Sequence, residues 1–410
     1  MRAMGPTRLA LAYARRRPLA TLLVILLAAV GTAMVVLTLA VSREIETRLT
    51  RDSEGIDLVV GAKGSPLQLV LAGVFHLDVP PGNIPLAAVA ELRANPMIAQ
   101  AIPLALGDSF RGFRIVGTEA TLVEHYGGRL AQGAMWSASM EAVLGSEVAR
   151  ATGLRIGAQF TGSHGLAEGG GGHGDAPYRV VGVVAPTGTV LDRMVLTSIE
   201  SVWDVHDAHH PPDTQGEAHD HDKAKAAGPA REVTMVLVRY VGPLAAASLP
   251  RAINSSTNYV AASPAYETAR LLTVFGVGLD LLRAFALLLI VASAAMLFVA
   301  LAQALDERRY DLAILRALGA SRGQVAWVLL SESVTLALAG AALGWALAQV
   351  TLSLAGAWFP AAAPLAETAW TLRGSELWIA AGAAGAGVLA ALWPAWQAYR
   401  LDVAATLADA

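Results

Sequence analysis

Nine histidines occur in the 410 residues, and seven of them fall between positions 164 and 221: His164, His173, His206, His209, His210, His219 and His221. Imidazole is a favoured ligand for zinc, copper and nickel, and Asp204, Asp207, Asp213, Glu217, Asp220 and Asp222 are interspersed with them. His206, His209 and His210 stand at i, i+3 and i+4, the spacing of one helical face, and His219-Asp220-His221-Asp222 offers a second clamp. Gly169 to Gly172 and Pro211-Pro212 mark both stretches as loops. Two readings stay open: weak, labile binding of a divalent metal such as zinc, or a solvated tract of drifting composition. A rigid structural zinc site is not expected, because its ligands are normally spaced on defined turns.

Other chemistry is sparse. Gly61 and Gly64 flank Lys63, but the spacing is not that of a phosphate-binding loop, and a plain turn is the simpler reading. No Gly-x4-Gly-Lys-Ser/Thr, His-Glu-x2-His or Ser/His/Asp pattern is visible, so no catalytic residue is assigned and the chain is not read as an enzyme. With no cysteine there is no disulfide framework or thiolate metal site, which suits an oxidising compartment. A net charge of −3 argues against a nucleic-acid partner.

The elements that must carry these residues are mostly apolar: 55% of the chain is hydrophobic and only 15% charged. A bilayer core of about 30 Å needs roughly 20 apolar residues in a helix. Four regions qualify. Leu19 to Val41 is uncharged and follows Arg15, Arg16 and Arg17, too long for the apolar part of a cleaved leader. Ala284 to Leu305 begins earlier, near Thr273, if Asp280 and Arg283 pair one turn apart. Val325 to Phe359 contains one acid, Glu332, and Leu377 to Tyr399 ends at Arg400. An acid inside a span is expensive and by default functional, although Arg308 or Arg309 offers Glu332 a partner.

Positive charge near the spans sets orientation. Arg15 to Arg17, then Arg308, Arg309, Arg316 and Arg322, then Arg400 share the cytoplasmic side. The expected layout is a cytoplasmic N-terminus (1–17), a first span (18–41), an outer domain (42–272), a second span (273–305), a cytoplasmic segment (306–324), a third span (325–359), a short outer loop (360–375), a fourth span (376–399) and a cytoplasmic end (400–410). The fold class is thus an α-helical membrane protein with four transmembrane helices plus a large α+β extracytoplasmic domain. In that domain Phe113 to Gly117, Tyr178 to Val184 and Val233 to Tyr240 read as strands, Met140 to Leu154 and Leu196 to Val205 as helices, and 163–177 and 206–230 as His-rich loops. Membrane lipids are implied partners.

Between the second and third spans stands Glu307-Arg308-Arg309-Tyr310-Asp311-Leu312-Ala313-Ile314-Leu315-Arg316-Ala317-Leu318-Gly319-Ala320-Ser321-Arg322-Gly323-Gln324-Val325. Leu312, Leu315, Ala317 and Leu318 form a stripe at helical spacing, Gly319 is placed to end the helix, and Ser321 to cap the next. Such a short amphipathic helix suits lipid headgroups or a groove on a cytoplasmic partner.

This string resembles the signature of the FtsX-like permeases, the membrane subunits of macrolide-exporter, lipoprotein-release and cell-division ABC systems. Residues 331–348 and 393–410 continue the resemblance, and 113–133, 142–160 and 178–196 are similar to the family's periplasmic core. Val403-Ala404 stands where the family often has proline, and the His-rich loops are outside its common pattern. The resemblance implies a coupling helix, with Glu307, Arg308, Arg309, Leu312, Leu315, Arg316, Leu318 and Gly319 carrying contact to a cytoplasmic ABC ATPase subunit that binds ATP and magnesium. It also implies a permease homodimer or related heterodimer, a periplasmic binding or lipoprotein partner, a bacterial inner (cytoplasmic) membrane location, and mechanotransmission to the periplasm. The alternative is a non-transporting transmembrane signal transducer that controls a periplasmic enzyme. Gly340, Gly344, Gly382, Ala383, Ala386 and Gly387 offer small faces for packing, within the chain or between copies.

Overall fold

The structure, a computed structural model, describes residues 18–164, 177–207, 231–359, 362–371 and 374–400. The chain divides into two compact units. One takes the residues up to Ile45 and from Val274 onward, and the other Glu46–Thr273.

The elements run α1 (Pro18–Ser53), β1 (Leu58–Ala62), α2 (Pro66–Gly73), β2 (Ile84–Pro85), α3 (Ala87–Ala94), β3 (Ile98–Phe110), β4 (Phe113–Gly117), α4 (Thr121–His125), β5 (Leu130–Gly133) and β6 (Glu141–Leu144). There follow α5 (Ser146–Thr152), β7 (Gln159–Phe160), β8 (Ser163–His164), β9 (Tyr178–Val184), a 3-10 turn (Val190–Arg193), β10 (Met194–Thr197), α6 (Ile199–Asp207), β11 (Glu232–Val233), β12 (Met235–Tyr240), α7 (Pro243–Ser256) and β13 (Tyr259–Ala262). Long helices α8 (Pro264–Ala317), α9 (Arg322–Trp358) and α11 (Gly374–Tyr399) follow, with short α10 (Ala363–Glu367) before the last.

In the sheet unit the strand order is β13-β1-β12-β3-β4-β10-β6-β9-β5, with β7 on β9 and β8 on β3. The β4–β10 and β6–β9 pairings are parallel and the others antiparallel. The thirteen-residue β3 pairs with β12 along its first half and with β4 along its second. Where β3 changes partner, the Thr234 hydroxyl accepts the Leu106 N–H at 2.8 Å, a side chain standing in for strand backbone. Both faces of β1 and β12 are covered, so these strands are apolar runs rather than alternating, whereas β9 alternates between buried and more exposed positions. Met235 and Leu237 enter one core with Val59, Leu69 and Leu104. Val236 and Val238 enter the other with Leu58, Val60 and Leu249.

Two expected helices are partly strand. Met140 to Leu154 splits into β6 and α5, and β10 takes Leu196 and Thr197 before α6 begins at Ile199. Glu141-Ala142-Val143-Leu144 lies between β10 and β9, fully enclosed. A run of four apolar-rich residues has no periodicity to betray that position.

Among the described residues, α1, α8, α9 and α11 are long and apolar enough to cross a membrane. Within their unit, Gly340 and Gly344 bring α9 against α1: a Cβ on Gly340 would lie 2.5 Å from the Ala28 Cβ, and one on Gly344 2.3 Å from the Ala29 carbonyl. Ser333 donates to the Gly387 carbonyl at 2.5 Å, tying α9 to α11. These small residues therefore pack within the chain, while Gly382 has open space above it. Asp280 and Arg283 pair at 2.8 Å.

The largest difference from expectation is α8. A separate amphipathic helix over 306–318 does not occur; Asp306 to Ala317 are the last three turns of one 54-residue helix. The cause is local: no glycine or proline lies between Leu279 and Leu318, and the charged stretch is built from good helix formers.

Candidate functional site

The reversal from α8 to α9 is set by backbone chemistry. The Gly319 N–H donates to the Arg316 carbonyl and the Ala320 N–H to the Leu315 carbonyl, both at 3.0 Å. These two bonds make a Schellman cap, and Gly319 adopts φ 103°, which a side chain would strain. Ser321 then starts α9 with a capping box: its hydroxyl accepts the Gln324 N–H at 3.2 Å, and its own N–H donates to Gln324 Oε1 at 2.8 Å. Four residues, Leu318 to Ser321, thus separate a fixed helix end from a fixed helix start.

The stripe expected from the sequence divides in two. Leu312 (3% exposed) and Ala313 are buried among Leu305, Val325 and Leu329. Leu315 and Leu318 point outward, Leu318 at 80% exposure, and Tyr310 and Ile314 join them. Tyr310, Ile314 and Leu318 stand at i, i+4 and i+8, a signal present in the sequence but masked by the stronger leucine pattern. Glu307, Arg309 and Asp311 are exposed beside them and Arg316 is half-buried, with Arg309 paired to Asp306 at 2.9 Å. The result is an apolar ridge in a charged border, which is how a docking helix divides contact from orientation.

Behind the ridge, Arg308 Nη1 donates to Glu332 Oε2 at 3.0 Å, and both side chains are nearly enclosed. Of the two arginines offered as partners for Glu332, Arg308 makes the pair, while Arg309 pairs with Asp306. It fastens the last turns of α8 to the end of the third turn of α9.

Of the seven clustered histidines, the described residues include two. His164 lies in β8 with its backbone opposite Asp108, and His206 lies in α6. His173, His209, His210, His219 and His221 lie outside the described residues, as do Arg15 to Arg17 and Val403-Ala404. Among the described residues no group of three His, Asp or Glu side chains is placed to hold a metal ion. Burial raises the Tyr178 hydroxyl pKa first, and the carboxylates of Asp108, beside β8, and Asp204, on α6, raise it further. Lys63 sits in a plain turn, exposed, with Ser65 capping α2 through the Gln68 N–H.

A family model described as MacB-like periplasmic core domain matches residues 21–228, just over half of the chain. A second, FtsX-like permease C-terminal, matches residues 283–403. Among solved structures the chain is similar to the periplasmic region of MacB from Actinobacillus actinomycetemcomitans, at 14% identity over 54% of this chain and 95% of that one, with a TM-score of 0.35. It is also similar to the extracellular domain of the noncanonic ABC-type transporter YknZ from Gram-positive bacteria, at 10% identity over 50% of this chain and 98% of that one, with a TM-score of 0.31. No curated protein matches the chain. The first match takes in most of α1 and the sheet unit as far as residue 228, the second runs from residue 283 of α8 through α9 and α11, and the chain belongs to the FtsX-like ABC transporter permeases with a MacB-like periplasmic core domain.

Proposed function

We propose that this chain is the force-transmitting permease subunit of an ABC complex in the bacterial inner membrane, crossing it four times and assembled as two permeases on two ATPase subunits. ATP is hydrolysed by the partner, and the closing of the ATPases is received by the ridge of Tyr310, Ile314, Leu315 and Leu318. The observation that carries this reading is the rigidity of that ridge. A Schellman cap, a capping box and the Arg308–Glu332 pair fix it to two long helices. A partner that moves the ridge must then move α8, which begins at Pro264, directly after β13 of the sheet unit.

The outer domain is read as periplasmic, where it does mechanical work on a substrate or on a lipoprotein or binding-protein partner. The His-rich loops tie that work to zinc, which they bind weakly. The support is their composition, histidine interspersed with Asp and Glu.

The test is reconstitution of the full chain with its cognate ATPase in nanodiscs. Co-purification and ATP turnover that are lost on Leu318→Asp, with the helices still folded, support the reading. Unchanged assembly in that variant overturns it. Turnover that responds to a periplasmic protein and to no small substrate identifies the chain as a signal transducer instead.

A further inference from the structure

The last turn of α1 carries a carboxylate where a helix disfavours one, because the C-terminal end of a helix is negative. Asp52 is also buried, at 5% exposure. Burial disfavours its charged form, against the opposing pull of Val190, Arg193, Arg48 and Arg51. Nothing in helix formation asks for this residue, so its use must lie in what it touches.

It touches the sheet domain from two sides. Its Oδ1 accepts the Val190 N–H at 2.8 Å, and Arg193 stands 3.9 Å from Oδ2. Its backbone carbonyl accepts the Tyr126 hydroxyl at 3.1 Å. On either side, Arg51 donates to the Gly188 carbonyl at 2.9 Å and His125 Nε2 to the Glu54 carbonyl at 3.1 Å. The turn that receives Asp52 is itself rigid. The Asp192 carboxylate accepts the N–H groups of Thr187 at 2.9 Å and Gly188 at 2.7 Å, and the Thr189 hydroxyl caps Leu191. That turn leads directly into β10, between β4 and β6 in the sheet.

We propose that Asp52 is the latch that makes the end of α1 part of the sheet domain's rigid body, a positioning residue that passes displacement of α1 to β10 through the turn at 187–193. Its use in transmission rests on the permease reading; the latch itself does not. The bonds made by Arg51 and His125 are exposed and can re-form with water, and that of Tyr126 is part-buried and does not use the Asp52 side chain. The Asp52–Val190 bond is the enclosed one, and its loss leaves a buried N–H unpaired.

The chain contains no cysteine, so introduced ones report alone. Spin labels are placed in the full chain in nanodiscs at Thr47→Cys with Arg150→Cys, across the latch. A second pair, Glu91→Cys with Arg150→Cys, lies within the sheet domain. Asp52→Ala should broaden the 47–150 distance distribution at least about two-fold and leave 91–150 unchanged. Asp52→Asn keeps the acceptor for Val190 and should leave both as in the parent. A 47–150 distribution that stays narrow in Asp52→Ala overturns the latch. So does equal broadening of both pairs, which would make Asp52 a general stability residue. The measurement needs neither ATP nor a partner, so it can fail while the permease reading stands.

Discussion

Arg308 on α8 and Glu332 on α9, 24 residues apart in sequence, form an enclosed ion pair at 3.0 Å directly behind the exposed ridge of Tyr310, Ile314 and Leu318. Breaking an enclosed pair from one side strands a charge, at a typical cost of about 3–5 kcal/mol, whereas replacing both partners with apolar groups is often close to neutral. Arg308→Ala and Glu332→Ala should therefore each lower the melting temperature of the purified chain strongly. The double variant Arg308→Met/Glu332→Leu should recover most of the loss. A double variant as unstable as the singles would show that the pair's neighbours, not the pair, hold the charges.

The ridge and the residues beneath it should separate in their effects. Leu318→Asp and Ile314→Asp change exposed positions and should alter stability by no more than about 0.5 kcal/mol, while abolishing recovery of the ATPase on the permease. Leu312→Ala opens the packing against Leu305, Val325 and Leu329 and should cost about 2–5 kcal/mol. Pull-down and thermal unfolding measured on the same preparations distinguish the two outcomes.

Gly319→Ala tests the cap. A side chain at φ 103° costs at least about 1 kcal/mol, and the easiest relief is to release the Arg316 and Leu315 carbonyls. The expected outcome is faster amide exchange at Gly319 and Ala320 and weaker ATPase recovery, with exchange in the sheet domain unchanged.

The sequence made some of this legible and hid the rest for physical reasons. Runs from Leu19, Ala284, Val325 and Leu377 exposed the long apolar helices, because a membrane demands unbroken length. Gly319 and Ser321 announced the reversal because caps use few residue types. Local signals failed wherever tertiary neighbours decided. Glu141 to Leu144 is a strand because β9 and β10 flank it. The junction of α8 with its charged end is seamless because nothing there breaks a helix. Asp52 and Val190 lie 138 residues apart, and no spacing rule reaches that far.

Acid should act on the sheet domain through groups of opposite sign. Burial, aided by Arg114 and Arg193, lowers the His76 pKa to about 3, and burial also lowers that of His125. A group whose folded pKa is lowered supplies stability above its unfolded value, near 6.5, that is lost as pH falls toward the folded value. Asp52, raised by burial, does the reverse and becomes less costly as it is protonated. The histidines dominate between pH 6.5 and 4, so amide-exchange protection of the sheet core should fall across that window. His76→Asn suits the positive φ of 54° at this position and carries no titrating proton. It should flatten the fall, and an unchanged profile would remove His76 as its cause.

Zinc is the remaining prediction, and its logic is one of number rather than geometry. Among the described residues no group of three His, Asp or Glu is placed to hold a metal ion, and five of the seven clustered histidines lie outside them. Calorimetric titration of zinc into the full chain should give weak heat at pH 7.5 that disappears at pH 5.5, where imidazoles take up protons and cease to be ligands. Replacing His164, His173, His206, His209, His210, His219 and His221 together by Asn should abolish the heat. Replacing only the two in 163–177 separates the alternatives further. A site shared between the loops loses most of its affinity, whereas a site confined to 206–230 keeps it. Equal heat in the wild type and the sevenfold variant would leave the loops as solvated chain.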